Sequence, residues 1–219
     1  MGTITRTFAN NITTSGVFKP TAFNDASFDN VTAVPSGAVE GGNMVLLSTQ
    51  TASASASISF TSGITSAYKE YLFIFNNIHP ATDGTPLLFN LSTDGGSNYN
   101  VTKTTTYFYA QHSESGTGAS LAYDTGSHVA QSTGYARISE STGADNDQIS
   151  SGYLHLFNPS DNTYVKHFIS CFNCYQSGDY SLASYSAGYG NTSSPINSID
   201  FKLSSGNIDD GTIQMFGIL

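Results

Sequence analysis

In 219 residues, Ser, Thr, Asn and Gly fill 95 positions while only 11% are charged, which excludes a helical bundle or coiled coil, built about half from Ala, Glu, Lys, Leu and Arg. A 38% hydrophobic content with 13 Tyr and 14 Phe is more than a solvated disordered chain uses, so the composition points to an all-β protein. Seven Lys and Arg against sixteen Asp and Glu give a formal charge of −9, which argues against nucleic acid and anionic membranes, since both are bound through clustered basic side chains.

Residues 1–43 read as an extended N-terminal arm. Short apolar pairs alternate with Asn, Asp, Pro and Gly, and no period of 2 or 3.6 persists long enough to define an element. Phe8, Phe18, Phe23 and Phe28 would be poorly solvated on a free tail, so the arm is expected to dock on a neighbouring subunit or a larger assembly. A flexible terminus with incidental aromatics is the plainer alternative. The first ten residues lack a signal peptide's apolar core, so the chain is expected to be made without its own export signal. No apolar run approaches the roughly 18 residues of a membrane span, so no membrane insertion is expected.

Residues 44–219 carry strand signals at the spacing of a sandwich. Residues 44–49 form a short apolar run, and 51–60 alternate strictly, with Ala52, Ala54, Ala56, Ile58 and Phe60 on one face and serines on the other. Residues 65–70 are the one helical candidate, too short to repay nucleation. The stretch 71–78, YLFIFNNI, is apolar on both faces and should lie centrally in a sheet or against a partner chain. After the turn signal HPATDGTP come strands at 87–91, 107–111, 135–139, 152–157, 165–175, 181–188, 198–203 and 212–218. In 198–203, Ile199, Phe201 and Leu203 should point inward and Ser198, Asp200 and Lys202 outward. Two packed antiparallel sheets, a jelly-roll-like β-sandwich, manage that many strand edges best.

No motif marks a catalytic or cofactor site. A Walker-type loop, a GxGxxG after a strand, HExxH and GxSxG are all missing. His155 and His167 lie on predicted strands and could meet across a hairpin, but such a pair is more often structural than a metal site. The DND at 145–147 and the DD at 209–210 supply two carboxylates each, too few for a hard cation. Cys171 and Cys174, three apart on one strand, should face opposite sides of the sheet and remain thiols rather than pair. Five Asn-x-Ser/Thr sequons match the roughly four or five that this Ser and Thr content yields by chance, so they carry no information. No enzyme activity, cofactor or metal is expected. Glycan contact through Tyr107, Tyr109, Tyr180, Tyr185 and Tyr189 is the remaining chemistry, with sheet packing as the plainer role of the same rings and zero Trp weighing against a lectin.

Three segments carry a resemblance: ITRTFANNITTSGVF with FNDASFDNVTAVPSG, then YLFIFNNIHPATDGTPLLFNLSTDGGSNYNV, then INSIDFKLSSGNIDDGTIQMFGIL. Together they resemble virion structural proteins of marine tailed bacteriophages, cyanophages included, of tail-fibre or head-fibre type. The resemblance implies a virion component assembled in the host cytoplasm, attached to other tail or capsid proteins through its arm. It also implies a sandwich body that trimerises with itself and contacts the host surface, where the tyrosines named above would make host surface glycan a further partner. A capsid decoration or head fibre is the alternative placement, and a glycan-binding module or depolymerase the alternative class. Between Gln111 and Gly134 no landmark of the group is present.

Overall fold

A computed structural model describes residues 44–219; the arm with its four phenylalanines lies outside the described residues. The described residues form twelve strands and no helix: β1 (Met44–Thr51), β2 (Ile58–Phe60), β3 (Glu70–Pro80), β4 (Leu87–Ser92), β5 (Lys103–Ser113), β6 (Ser120–Tyr123), β7 (Ala136–Arg137), β8 (Ser150–Phe157), β9 (Lys166–Gln176), β10 (Tyr180–Gly190), β11 (Ser198–Leu203) and β12 (Ile208–Ile218). They make two antiparallel sheets, one of eight strands in the order β1-β12-β3-β8-β9-β10-β5-β6 and one of four in the order β2-β11-β4-β7. All-β architecture with two sheets is therefore what the composition and strand spacing anticipated.

Side chains of both sheets meet in one core. Phe201 of the four-stranded sheet contacts Phe73 and Phe75 of the eight-stranded sheet at ring-centroid distances of 5.4 and 4.9 Å, and Phe89 meets Phe168 at 4.7 Å. These rings, with Phe60, Phe172, Ile199 and Leu154, are almost wholly withdrawn from solvent. Each buried ring of this kind contributes on the order of 2–3 kcal/mol. Without Trp, phenylalanines packed edge-to-face or tilted supply the bulk between the two sheets.

The alternation at 51–60 does not become one strand. Only Ile58–Phe60 is β2; Ala52 is buried but Ala54 is exposed and takes a left-handed φ of 50°. Residues 52–57 instead carry the chain from the eight-stranded sheet to the four-stranded one, bonded to β12 through Ala52 N to Gly211 O (2.8 Å) and Ser55 N to Ile208 O (2.8 Å). Alanine and serine are small enough to pass between layers, and period-2 composition says nothing about whether a ladder partner exists.

Strand β3 sits between β12 and β8, central as expected, with Tyr71, Phe73 and Phe75 buried and Leu72 and Ile74 half-buried on the other face. Its register with β8 slips between Phe75 and Ile78, where Asn77 has a φ of 53°. That extra residue turns Ile78 back into the core. Strand β12 is irregular opposite this point, between Asp210 and Thr212, and Gly211 there has a φ of 122°. A Cβ on Gly211 would lie 2.6 Å from Asn77 O. Gly211→Ala is therefore expected to cost about 2 kcal/mol through clash and backbone strain, measured by chemical denaturation.

In β11, Ile199, Phe201 and Leu203 do face the core, but Ser198 and Asp200 are buried rather than solvated. Asp200 accepts hydrogen bonds from Ser59 Oγ and from Tyr135 OH at 2.8 Å. A neighbouring strand and a covering loop close over these positions, and one strand's own pattern cannot report that. The expected strand at 135–139 shrinks to Ala136–Arg137, and β6 arises in the stretch that gave no signal.

Candidate interaction surface

Strand parity decides what the eight-stranded sheet turns outward. Residues paired across antiparallel strands share a face, so one outward row can be followed through all eight strands: Thr49, Gln214, Ile74, Tyr153, Cys171, Tyr185, Phe108 and Tyr123. The adjacent row runs Leu46, Phe216, Leu72, His155, Ile169, Ala187 and Thr106. Tyr153 is 43% and Ile169 49% exposed, and Leu121 on the edge strand is 75% exposed. Phe108 and Tyr185 stack with ring centroids 5.0 Å apart and planes 12° apart. Two open depressions of about 500 Å³ each mark this face, one over Leu72, Ile74 and Tyr153, the other over Phe157, His167, Ile169 and Tyr189.

The face is almost without charge. Among the described residues, Glu70 is the one Asp, Glu, Lys or Arg side chain in its regular outward rows, where it pairs with His155 (Oε2 to Nε2, 2.9 Å), while Asp209 and Asp210 stand exposed at the irregular start of β12. The outer side of the four-stranded sheet is different in kind. There Asp200, Ser59 and Tyr135 are hydrogen-bonded together, and Lys202 Nζ lies 4.1 Å from the Tyr135 ring centroid. Burial and the Asp200 carboxylate push the Tyr135 phenol well above its ordinary range. A chain of net charge −9 thus places few of its charges on its widest sheet, which exposes aromatic and aliphatic side chains of the kind found where surfaces meet.

The five tyrosines proposed for glycan contact do not converge. Tyr107 is fully buried, which corrects its assignment as a contact residue: parity places it with Thr105 on the inward side of β5, under the Arg137 guanidinium at 5.4 Å. Tyr109 and Tyr180 are half-buried on that same side of their strands, paired with Ser184 and Gln176. Tyr185 lies in the outward row, and Tyr189 at its margin packs on His167 with 5.9 Å between ring centroids.

An internal ionic cluster was not visible in the sequence. Arg137 pairs with Glu140 Oε2 and donates to Ser139 O at 2.9 Å and Ser127 Oγ at 2.8 Å. Glu140 is 7% exposed. Burial, with Glu140 nearby, holds the Tyr107 phenol far above its ordinary range and pushes the Cys174 thiol up to about 12. The cluster ties the loop around β7 to strands β5 and β9. Its members are 67 residues apart in the chain at the extremes, so no local spacing could have shown it.

Cys171 and Cys174 are both free, one in the outward row and half-exposed, the other buried, as their spacing implied. A thiol-directed maleimide should therefore label Cys171 in the folded single chain, at a dilution that keeps it monomeric, and spare Cys174. Equal labelling of both, read by peptide mass, would show that β9 is not held in this register. His155 and His167 lie on neighbouring strands but out of register with one another, since His155 pairs with Ile169. Among the described residues no group of three or more metal-ligating side chains gathers.

Comparison of the chain with protein-family models, with curated proteins and with solved structures returns no match.

Proposed function

We propose that this chain is a non-enzymatic structural protein of a tailed-phage virion. In this reading residues 1–43 anchor it to tail or capsid proteins, and residues 44–219 form a jelly-roll-like sandwich that trimerises as a tail fibre or tip and meets the host surface. The observation that carries the assembly part is the sparsely charged outer face of the eight-stranded sheet, with its exposed aromatic and aliphatic side chains. Eight strands about 4.8 Å apart and roughly six residues of each give an area of about 700 Å², close to the roughly 800 Å² that each partner contributes to a standard stable interface. Its strands β8, β9, β10 and β5 turn no Asp, Glu, Lys or Arg outward to repel a second copy, and the sheet's exposed acids, Glu70, Asp209 and Asp210, lie at the ends of β3 and β12. The resemblance in the three quoted segments carries the virion part.

Sedimentation of the full chain tests the first part, and copy number in purified particles tests the second. A defined oligomer in which Cys171 becomes protected from maleimide supports assembly through this face; a monomer at high concentration with Cys171 open overturns it. A handful to a few dozen copies per particle supports the tail, and hundreds tracking the major capsid protein would place the chain on the head. One observation favours a second reading. The stacked Phe108 and Tyr185 rings offer a flat platform of the kind on which sugar rings stack, and binding on a glycan array that is lost in Tyr185→Ala would support a glycan-binding role.

A further inference from the structure

Lys103 and Asn90 form an arrangement that neither the assembly face nor the core requires. Both are fully buried. Lys103 Nζ donates to Asn90 Oδ1 and to Val101 O at 2.8 Å, and no carboxylate pairs with it among the described residues. Two acceptors match the two N–H bonds of a neutral amine and leave one lone pair free. Burial alone lowers its pKa to about 8, so about a tenth of Lys103 is unprotonated at pH 7 and most of it at pH 9.

The amide beside it is held at both ends. Asn90 Oδ1 also accepts from the Leu91 backbone N–H at 2.9 Å, and Nδ2 donates to Tyr99 O at 2.5 Å and Thr133 O at 3.0 Å. We propose that Lys103 and Asn90 are a self-processing pair that joins into an intramolecular isopeptide bond between β4 and β5. The lone pair of the neutral ε-amine attacks Asn90 Cγ, and the Leu91 N–H stabilises the charge that develops on Oδ1, as a backbone donor does in acyl transfer. Collapse of the adduct breaks the Cγ–Nδ2 bond. One proton passes from Nζ to the departing nitrogen, so amine plus primary amide become secondary amide plus ammonia, with no other reactant. The departing group faces Tyr99 and Thr133, and Thr133 is exposed, which gives ammonia a short route out.

Contact replaces the usual difficulty of bringing the groups together: they are already fixed against one another in a buried site, and fixed geometry is worth many orders of magnitude in such reactions. Asp200 stands opposite Asn90 in the β4–β11 register, with its oxygens engaged by Ser59 and Tyr135, and the proton balance does not need it.

Peptide mass spectrometry of the full chain after denaturation and trypsin tests the pair. A bond leaves Lys103 uncleavable, giving one peptide spanning residues 70–137 whose mass is lower by one ammonia, with fragment ions that place the link between positions 90 and 103. Lys103→Arg and Asn90→Ala should abolish that product. Should either variant fail to fold, the wild-type digest decides alone. Separate, unmodified peptides 70–103 and 104–137 from folded protein held for days at pH 9, where the amine is mostly neutral, would overturn the proposal.

Discussion

Replacing Tyr153 and Ile169 together with glutamate should dissociate the proposed oligomer while leaving each subunit folded. The two side chains belong to adjacent outward rows, diagonal to one another on β8 and β9, and both are about half exposed in the single chain. In a face-to-face assembly they would be covered near the centre of the contact, where truncating one well-packed side chain costs 2 kcal/mol or more and burying an unpaired carboxylate costs further. Association should weaken by at least about 10²-fold, read by sedimentation across a concentration series. The unfolding midpoint of the subunit should move little, because cross-strand pairs on an open face contribute roughly 0.2–1 kcal/mol each. An oligomer that survives both charges with unchanged affinity would show that the chain assembles through some other surface, and this face would then need another occupant.

Phe201→Ala should produce the largest loss of stability from a single substitution. Its ring is wholly buried and meets Phe60, Phe73 and Phe75 at centroid distances of 6.3, 5.4 and 4.9 Å, so it joins β11 to the facing sheet. Removing it deletes transfer energy and leaves a cavity that strands on both sides cannot collapse to fill, about 3–5 kcal/mol in total. Domains of this size stand only about 5–15 kcal/mol above their unfolded state, and the melting midpoint should fall by roughly 10–15 °C. Leu121→Ala, on the exposed edge strand, is the control and should change stability by less than about 0.5 kcal/mol. Equal effects from the two would mean that Phe201 does not bridge the layers as described.

The strands that could be read in advance share one property. In β8, β9, β10 and β12 the residues that alternate also find a ladder partner on each side, so local pattern and tertiary setting agree. At 51–60 the pattern is cleaner than in any of these, yet most of it connects the two sheets, because alanine and serine satisfy a strand's period without demanding a strand's burial. Strand β6 failed in the opposite sense. Its short segment has no period of its own and is a strand because it pairs with β5 from Phe108 to Gln111.

The interaction surface was half legible. The doubly apolar stretch at 71–78 announced one strand of it, and Tyr185 was singled out for its ring rather than for its place. What joined them was register: Ile74, Tyr153, Cys171, Tyr185 and Phe108 become neighbours only once β3, β8, β9, β10 and β5 are laid side by side. The same register removed Tyr107 from any surface role, since a residue one step along a strand faces the other way.

By itself the sequence determined that this is an all-β chain with few ions, two sheets' worth of strands and two thiols on opposite faces of one strand. Those features follow from composition and from the period of 2, which are local. Only the tertiary structure decided that Lys103 would sit against Asn90, that the local Arg137–Glu140 pair would be buried against Tyr107 of β5, and that the middle strands of one sheet would turn a face without carboxylates or basic side chains to solvent. Each depends on which strand lies beside which, and pairing between distant segments is set by the packing of the whole core rather than by any one segment's residues.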